Sequence, residues 1–136
     1  LATPHIAGYS LDGKLRGTDM IYHAACEFFG ETACWQVADA VPVSPALVID
    51  SRHDRLSAVR EAVLATYDIR ADDAALRALK QLDKDAQAAR FDQLRKEYPV
   101  RREFSEIELV LETDDPALRR MLDALGFKLS AGPATA

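Results

Sequence analysis

Two short apolar runs flank a strongly marked helix near the end of the chain, and this arrangement constrains the fold most. The run "IELVLE" (107–112) alternates apolar and polar side chains, which is typical of a half-buried strand. The run "FKL" (127–129) is a second short strand candidate. Between them, the helix in "TDDPALRRMLDALGF" has a capping residue, a first-turn proline and a closing glycine: Asp114 or Asp115, Pro116 and Gly126. Its apolar positions predict an inward face made of Leu118, Met121, Leu122 and Leu125. Strand, helix and strand in succession predict a sheet with a helix packed on it.

The preceding residues extend the same pattern. "ALVID" (46–50) is a short strand candidate rich in β-branched residues. Helical spacing of apolar residues predicts three helices after it, over residues 54–67, 74–82 and 86–98. In the first of these, Leu56, Val59, Val63 and Leu64 form the apolar stripe. Residues 46–129 are therefore predicted to be an α+β domain, a small sheet of about three strands packed with helices.

The first thirty residues predict one long helix. "LDGKLRGTDMIYHAACEFFG" has apolar residues at helical spacing, Ser10 or Asp12 can cap it, and Gly30 is a plausible stop. Its apolar residues near one face are Leu15, Met20, Ile21, Ala24, Ala25, Phe28 and Phe29. Pro4 favours extended geometry at Thr3, so residues 1–5 are predicted to be the end of a strand that runs into a loop.

These features divide the chain into four parts. Residues 1–30 form the first unit, and residues 31–45, "ETACWQVADAVPVSP", are a connector with two prolines that Trp35 anchors on a surface. Residues 46–129 form the second unit, and residues 130–136 are a flexible tail. The chain begins with Leu1, within an apparently extended segment, so we expect it to be the C-terminal piece of a longer protein.

Composition limits the partners of the chain. A net charge of −5 argues against nucleic acid or an anionic membrane as the main partner. Four basic residues cluster late in the sequence, but acids are interleaved with them, so a solvated face is favoured over a phosphate-binding patch: Arg95, Lys96, Arg101 and Arg102. Cys26 and Cys34 are the only cysteines, no metal-ligand spacing is present, and no apolar run approaches a membrane span. We therefore expect a cytoplasmic protein without a metal site.

Most of the reactive residue types have a simple structural explanation. No glycine set has the spacing of a phosphate-binding loop, and no serine has the context of a nucleophile elbow. The acid pairs Asp72–Asp73 and Asp114–Asp115 stand at helix starts, where the helix dipole explains them. His23 and His53 are predicted to have structural or solvent roles.

His5 is the candidate catalytic residue. It follows a proline in a loop, where a side chain can be presented rigidly towards a cleft. An imidazole titrates near neutral pH, so it can take a proton from a hydroxyl group and return it to a carbonyl. On residue type alone, a single loop histidine is more often structural.

The sequence around His5 favours a catalytic role over a structural one. "TPHIAGYSLDGKLRGT" resembles the segment that closes the nucleotide-binding domain of the D-2-hydroxyacid dehydrogenases, in which a Pro-His-Ile-Gly/Ala-Gly motif carries the catalytic histidine. "YDIRADDAALR", "FDQLRKEYPVRREF" and the late "LGF" resemble the C-terminal dimerisation domain of one member of that family, which acts in pyridoxal phosphate (vitamin B6) biosynthesis. The resemblance thus extends over nearly the whole chain.

The resemblance implies roles for three residues. His5 matches the family's proton donor and acceptor, Gly8 a position that contacts NAD, and Tyr9 a position that contacts a phosphorylated 2-hydroxy acid substrate. It also implies that residues 1–30 close a Rossmann-type domain. Asp12 stands where the family often has glutamate, which puts nothing catalytic in doubt.

The family's remaining catalytic groups fall outside the sequence. Its substrate-binding arginine, its histidine-orienting glutamate and its dinucleotide glycines have no counterpart here, so we expect the chain alone to be inactive and to bind no NAD appreciably. We also expect residues 46–129 to form a homodimer. Leu47–Ile49 and residues 107–111 should bury the interface, supported by Leu118 and Leu122.

Two other functions stay open from the residues. The chain could be a non-catalytic interaction or small-ligand-sensing module, or the C-terminal part of a different 2-hydroxyacid dehydrogenase. A ligand bound in residues 46–129 would favour the sensing module, whereas a symmetric interface without a pocket would favour assembly. The residues before Leu1 would separate the dehydrogenases.

Overall fold

The computed structural model describes residues 1–37, 41, 44–50 and 54–131. The helices of this part are α1 (Leu11–Phe29), α2 (Arg55–Thr66), α3 (Ile69–Ala78), α4 (Lys84–Lys96) and α5 (Pro116–Ala124). The strands are β1 (Leu47–Ile49), β2 (Glu108–Leu111) and β3 (Lys128–Ala131). Short 3₁₀ turns at Leu79–Gln81 and Phe104–Glu106 follow α3 and precede β2. The predicted α+β class with a small three-stranded sheet is confirmed.

The sheet has the order β1-β2-β3, and both strand pairs are parallel. Leu47 is paired with Leu109, and Leu109 in turn with Leu129, so these three side chains share one face. Parallel neighbours require crossover connections, and the helical segments between the strands supply them. The sequence predicted the strands but not their direction.

One face of this sheet carries the core. Alternate strand residues Ile49, Leu109 and Leu111 are 1%, 0% and 2% exposed, and they pack against Leu118 and Leu122 of α5. The opposite face carries exposed residues such as Val48 and Glu108. Helices α2 and α5 contact the sheet and each other. The helices therefore cover one face, as the alternation of the strands predicted.

The buried side of α2 differs from the prediction. Ala58 and Ala62 are fully buried, Val59 and Val63 pack at the edge of the core, and Leu56 is 70% exposed. Small side chains let the helix lie close to the sheet, which turns Leu56 outward. In α5, Leu118 and Leu122 are buried as predicted, but Leu125 at the end of the helix is 43% exposed.

The predicted residues of the homodimer interface need the same correction. Ile49, Leu109, Leu111, Leu118 and Leu122 are all buried within the core of the single chain, so they have no surface to offer a partner. The alternation of a strand sends successive side chains to opposite faces. Among the predicted strand residues, Val48 is the apolar one that is largely exposed.

Local capping explains the helix boundaries. Asp54 caps α2, and its carboxylate accepts from the N–H of Ser57 at 3.1 Å. Asp115 caps α5 by accepting from the N–H of Ala117 and Leu118, and it also binds Arg55 at 2.6 Å. This ion pair joins the starts of the two helices that cover the sheet.

Helix α1 begins and ends where predicted, but its apolar face lies open. Ser10 caps it, and Gly30 ends it in the left-handed conformation with φ 69°. Met20 and Ile21 are 66% and 73% exposed, and Phe28 and Phe29 are 82% and 71% exposed. The described residues therefore leave this face uncovered.

Tyr22 of α1 holds the start of the connector. Its hydroxyl oxygen accepts from the N–H of Cys34 at 2.8 Å and of Trp35 at 3.3 Å. The rings of Tyr22 and Trp35 meet edge to face with centroids 5.9 Å apart. Trp35 is thus anchored on a surface, as predicted, and that surface is α1.

Both ends of the chain differ from the prediction. Residues 1–5 contain no strand, because the chain bends at Pro4 and His5. Ser130 and Ala131 belong to β3, so the strand continues past the predicted start of the tail. Residues 132–136 lie outside the described part.

No helix among the described residues is both long enough and apolar enough to cross a membrane.

Candidate functional site

Two consecutive turns build the loop before α1. The N–H of His5 donates to the carbonyl of Thr3 at 2.8 Å, and the N–H of Tyr9 donates to the carbonyl of Ile6 at 3.0 Å. Gly8 is the third residue of the second turn and has φ 71°. A type II turn needs a positive φ at that position, which favours glycine. Gly8 therefore has a conformational reason to be glycine.

The backbone of His5 is itself unusual. Its φ is 58°, and among the described residues it is the only one other than glycine with a positive value. Left-handed geometry costs a residue with a Cβ about 1–2 kcal/mol. Its neighbours Pro4 and Ile6 are both buried. Buried residues on both sides hold His5 in this conformation and leave its side chain exposed.

The loop rests on the second half of the chain. Pro4 lies in a cleft with Leu94 and Tyr98, and the N–H of Ala2 donates to Asp73 of α3 at 3.0 Å. At the start of α1, the N–H of Leu11 donates to the carbonyl of Arg101 at 2.8 Å. The His5 loop is therefore positioned by residues that stand far from it in the sequence.

Tyr9 lies among aromatic and basic side chains. Its ring meets that of Tyr98 edge to face, with centroids 5.9 Å apart. Lys14 Nζ lies 4.4 Å from the centroid of the Tyr9 ring, and Arg95 Nη2 donates to the Tyr9 hydroxyl at 3.3 Å. Both cations thus stand beside one phenol.

Asp72 and two tyrosines form a hydrogen-bonded group that contacts Tyr9 through Tyr98. Tyr67 and Tyr98 donate to the same oxygen of Asp72, at 2.7 Å and 2.9 Å. Burial, together with these hydrogen bonds to Asp72, raises the pKa of both phenols. Arg101 lies 4.5 Å from the centroid of the Tyr67 ring. Both phenols therefore stay protonated at neutral pH and act as donors.

A buried ion pair joins the first turn of α1 to the segment before β2. Arg102 Nε donates to both carboxylate oxygens of Asp12 at 2.9 Å and 3.0 Å, and the two side chains are 13% and 6% exposed. The N–H of Glu103 donates to Asp12 at 2.7 Å. Burial alone would raise the pKa of Asp12, but these hydrogen bonds and the charge of Arg102 outweigh it and lower the pKa.

The structure changes the interpretation of the basic cluster. Lys96 is exposed and pairs with Asp92, as a solvated face requires. Arg95, Arg101 and Arg102 instead bind the His5 loop, a tyrosine ring and Asp12, so the prediction is wrong for these three. Their partners Tyr9 and Asp12 lie 86 and 90 residues away in sequence. Apart from the resemblance of "FDQLRKEYPVRREF", the sequence contains no signal that pairs them.

Asp72 stands in the first turn of α3, as predicted, and it also accepts hydrogen bonds from two tyrosines. The prediction for His23 is confirmed, since its side chain is 51% exposed and bonds the Asp19 carbonyl at 3.0 Å. His53 lies outside the described residues.

The predicted site residues therefore lie on one loop. His5 and Gly8 are exposed and Tyr9 is half-buried. No atom lies within 4 Å of the place where a Cβ would stand on Gly8, so a flat cofactor group can approach the backbone there. The residues present fit a contact with the edge of a nicotinamide. Within the described ranges, no three His, Cys, Asp or Glu side chains are grouped to hold a metal ion.

Comparison with known proteins supplies independent information. Residues 41–126 match a family model described as a domain of unknown function, DUF3410. The chain is 48% identical to the erythronate-4-phosphate dehydrogenase of Pseudomonas fluorescens (strain Pf0-1) over 129 residues, which are 93% of the chain. It is 43% and 46% identical to the enzymes of that name from Marinobacter nauticus (strain ATCC 700491 / DSM 11845 / VT8) and Pseudomonas putida (strain GB-1), over 95% of the chain in each case. The chain spans about a third of the length of these relatives, 34% in each case.

Proposed function

This chain belongs to the DUF3410 family, and we propose on that premise that it is the C-terminal part of an erythronate-4-phosphate dehydrogenase. The observation that carries the proposal is the 43–48% identity to enzymes of that name over 93–95% of the chain. The proposed reaction is the NAD-dependent oxidation of 4-phospho-D-erythronate to (R)-3-hydroxy-2-oxo-4-phosphooxybutanoate. It would belong to pyridoxal 5'-phosphate biosynthesis. The two free thiols of Cys26 and Cys34 fit a cytoplasmic location.

In this proposal His5 is the catalytic residue. NAD, when bound, supplies the acceptor for the hydride that leaves C2 of the substrate. The His5 imidazole takes the proton of the 2-hydroxyl group as the C2–O bond becomes a carbonyl, and it returns a proton in the reverse direction. An exposed imidazole on a loop held by buried neighbours suits this task, because it can meet a substrate bound by other parts of a longer protein.

Gly8 and Tyr9 complete the proposed contacts. Gly8 offers its backbone to the nicotinamide end of NAD, because no side chain intervenes there. Tyr9 directs its hydroxyl towards the substrate, and the phenol can bond a phosphate or hydroxyl oxygen. Both residues lie within four positions of His5 on the same loop.

We further propose that the intact enzyme is a homodimer formed through residues 46–129. The support is the second face of the parallel sheet, which carries exposed side chains among the described residues, since such sheets are usually covered on both faces. Val48 on this face is 63% exposed.

An assay of the longer protein that contains this chain tests the proposed function. Purified protein should reduce NAD in the presence of 4-phospho-D-erythronate, measured by the appearance of NADH absorbance. The 136-residue chain should show neither NAD reduction nor appreciable NAD binding. A longer protein that is folded but inert towards this substrate would refute the proposal.

A further inference from the structure

Two cations, Lys14 and Arg95, stand against the Tyr9 phenol. Lys14 Nζ lies 4.4 Å from the ring centroid, and Arg95 Nη2 donates to the hydroxyl at 3.3 Å. Among the described residues, neither side chain forms an ion pair with an acid, whereas Arg102 near the start of α1 binds Asp12 at 2.9 Å. Asp92, one turn before Arg95 on α4, has its carboxylate bound to Lys96 at 2.7 Å.

Arg95 also has an unsatisfied donor. Its Nε is buried and has no hydrogen-bond partner among the residues that the structure describes. A buried donor without a partner is costly, and such groups in folded proteins call for an explanation. Because this Nε is sealed from solvent, a phosphate would meet the terminal nitrogens of the guanidinium, whose fork matches phosphate oxygens.

We propose that Lys14 and Arg95 bind the phosphate group of the substrate beside Tyr9. This inference rests on the proposed function, because it assigns a part of the same site to the phosphorylated end of the substrate. Lys14 provides a point charge from the first turns of α1, and Arg95 provides directional donors from α4. Tyr9 contacts both, because Lys14 stands over its ring and Arg95 donates to its hydroxyl.

A phosphate site beside Tyr9 would give the contact between the His5 loop and α4 a function. His5 would act on the C2 hydroxyl, while the cations beside Tyr9 would hold the other end of the same molecule. The two ends of a four-carbon acid would then be fixed by residues four positions apart. Residues 46–129 would thereby contribute directly to substrate selection, since Arg95 belongs to that part of the chain.

Steady-state kinetics of the longer protein test the inference with three variants. Lys14→Gln and Arg95→Gln each remove one charge, and Arg95→Lys keeps the charge but loses the fork. Losing one charge-assisted hydrogen bond should raise the KM for 4-phospho-D-erythronate by about 10- to 100-fold, with a smaller change in kcat. Activity towards D-erythronate, which lacks the phosphate, should change much less.

Lys96→Gln is the matched control. It removes a cation next to Arg95 on α4, but this cation is exposed and already paired with Asp92. Its KM should equal that of the wild type. Lys14 is exposed, so Lys14→Gln should fold normally even if a substitution at Arg95 disturbs packing.

Calorimetric binding of 4-phospho-D-erythronate separates the possible failures. Binding that weakens in Lys14→Gln and Arg95→Lys supports the inference, whatever the turnover. Unchanged binding and KM in both variants overturn it and leave the proposed function standing. Wild-type binding without turnover contradicts the proposed function alone, and a wild type that binds no 4-phospho-D-erythronate contradicts both.

Discussion

His5 combines an exposed side chain with a strained backbone. Its φ of 58° lies in the region that residues with a Cβ rarely adopt, although histidine does so more often than most. Pro4 and Ile6 on either side are buried, so the loop cannot relax without exposing them. Strain that packing maintains at an exposed polar residue is typical of functional positions.

The strain at His5 predicts an order of stability. His5→Gly should be more stable than His5→Ala by about 1 kcal/mol, because glycine adopts a positive φ without steric cost. Urea denaturation of the two variants of this chain would measure the difference. Equal stability would mean that the loop relaxes when the imidazole is removed.

Removal of the imidazole should also abolish most of the proposed activity. In the longer protein, His5→Ala should lower kcat by about 10²- to 10⁴-fold, the range for loss of a general acid and base. The KM for 4-phospho-D-erythronate should change far less. His23→Ala, which removes an exposed histidine of α1, is the control and should keep wild-type turnover. Near-normal turnover in His5→Ala would leave His5 with a structural role only.

Between elements, the buried pair of Asp12 and Arg102 joins α1 to the segment before β2. The carboxylate has both oxygens occupied by Arg102 and one by the N–H of Glu103. Breaking such a pair is costly, because it leaves one charge buried without its partner. The ion pair therefore contributes to holding the His5 loop on the rest of the chain.

This pair makes stability depend on pH. The folded state lowers the pKa of Asp12 below its ordinary value of 3.8, so ionised Asp12 favours the folded state. That stability is fully present above the unfolded pKa and is lost as the pH falls through the lower folded pKa.

Asp12→Asn is expected to reduce the free energy of unfolding at neutral pH by about 1–3 kcal/mol. It should also flatten the decline of stability in acid, measured by urea denaturation at a series of pH values. Asp92→Asn, which removes a carboxylate that is 52% exposed, should leave both quantities nearly unchanged. An Asp12→Asn variant with the acid decline of the wild type would contradict the assignment.

Helix α5 offers a second comparison at this scale. Asp115 caps the helix and binds Arg55, whereas its neighbour Asp114 is 89% exposed and, within the described ranges, binds Arg119 alone at 3.2 Å. Asp115→Ala should lower the free energy of unfolding by about 1–2 kcal/mol. Asp114→Ala should change it by less than about 0.5 kcal/mol. Thermal or urea unfolding of the two variants measures this contrast. Equal losses of unfolding free energy would contradict the assignment of Asp115 as the cap.

At the scale of the whole molecule, the sheet face that carries the exposed Val48 is the basis of the proposed assembly. The 15.0 kDa chain should sediment at about twice its mass at micromolar concentration. Val48→Asp places a charge on this face and should yield monomers. Val100→Asp makes the same change at a loop position that is 79% exposed and should leave the dimer intact. A wild-type monomer, or a dimer that survives Val48→Asp, would contradict the proposed interface.

Much of the secondary structure follows from the sequence because its signals are local. Ser10, Gly30, Asp115 and Gly126 act on residues within one turn, so the bounds of α1 and α5 could be predicted from a few neighbouring letters. The residues of the His5 loop, and the family that they resemble, likewise indicate its position.

Features that depend on residues far apart in the chain could be seen only in the tertiary structure. The parallel direction of the strands, the burial of Ala62 in place of Leu56, and the partners of Arg95 and Arg102 all depend on contacts across the fold. A basic residue in a sequence shows its charge but not its partner, because an ion pair forms wherever the fold brings an acid within reach. Only the folded chain therefore shows that Arg102 meets Asp12, while Arg95 reaches Tyr9 and keeps its Nε unpaired among the described residues.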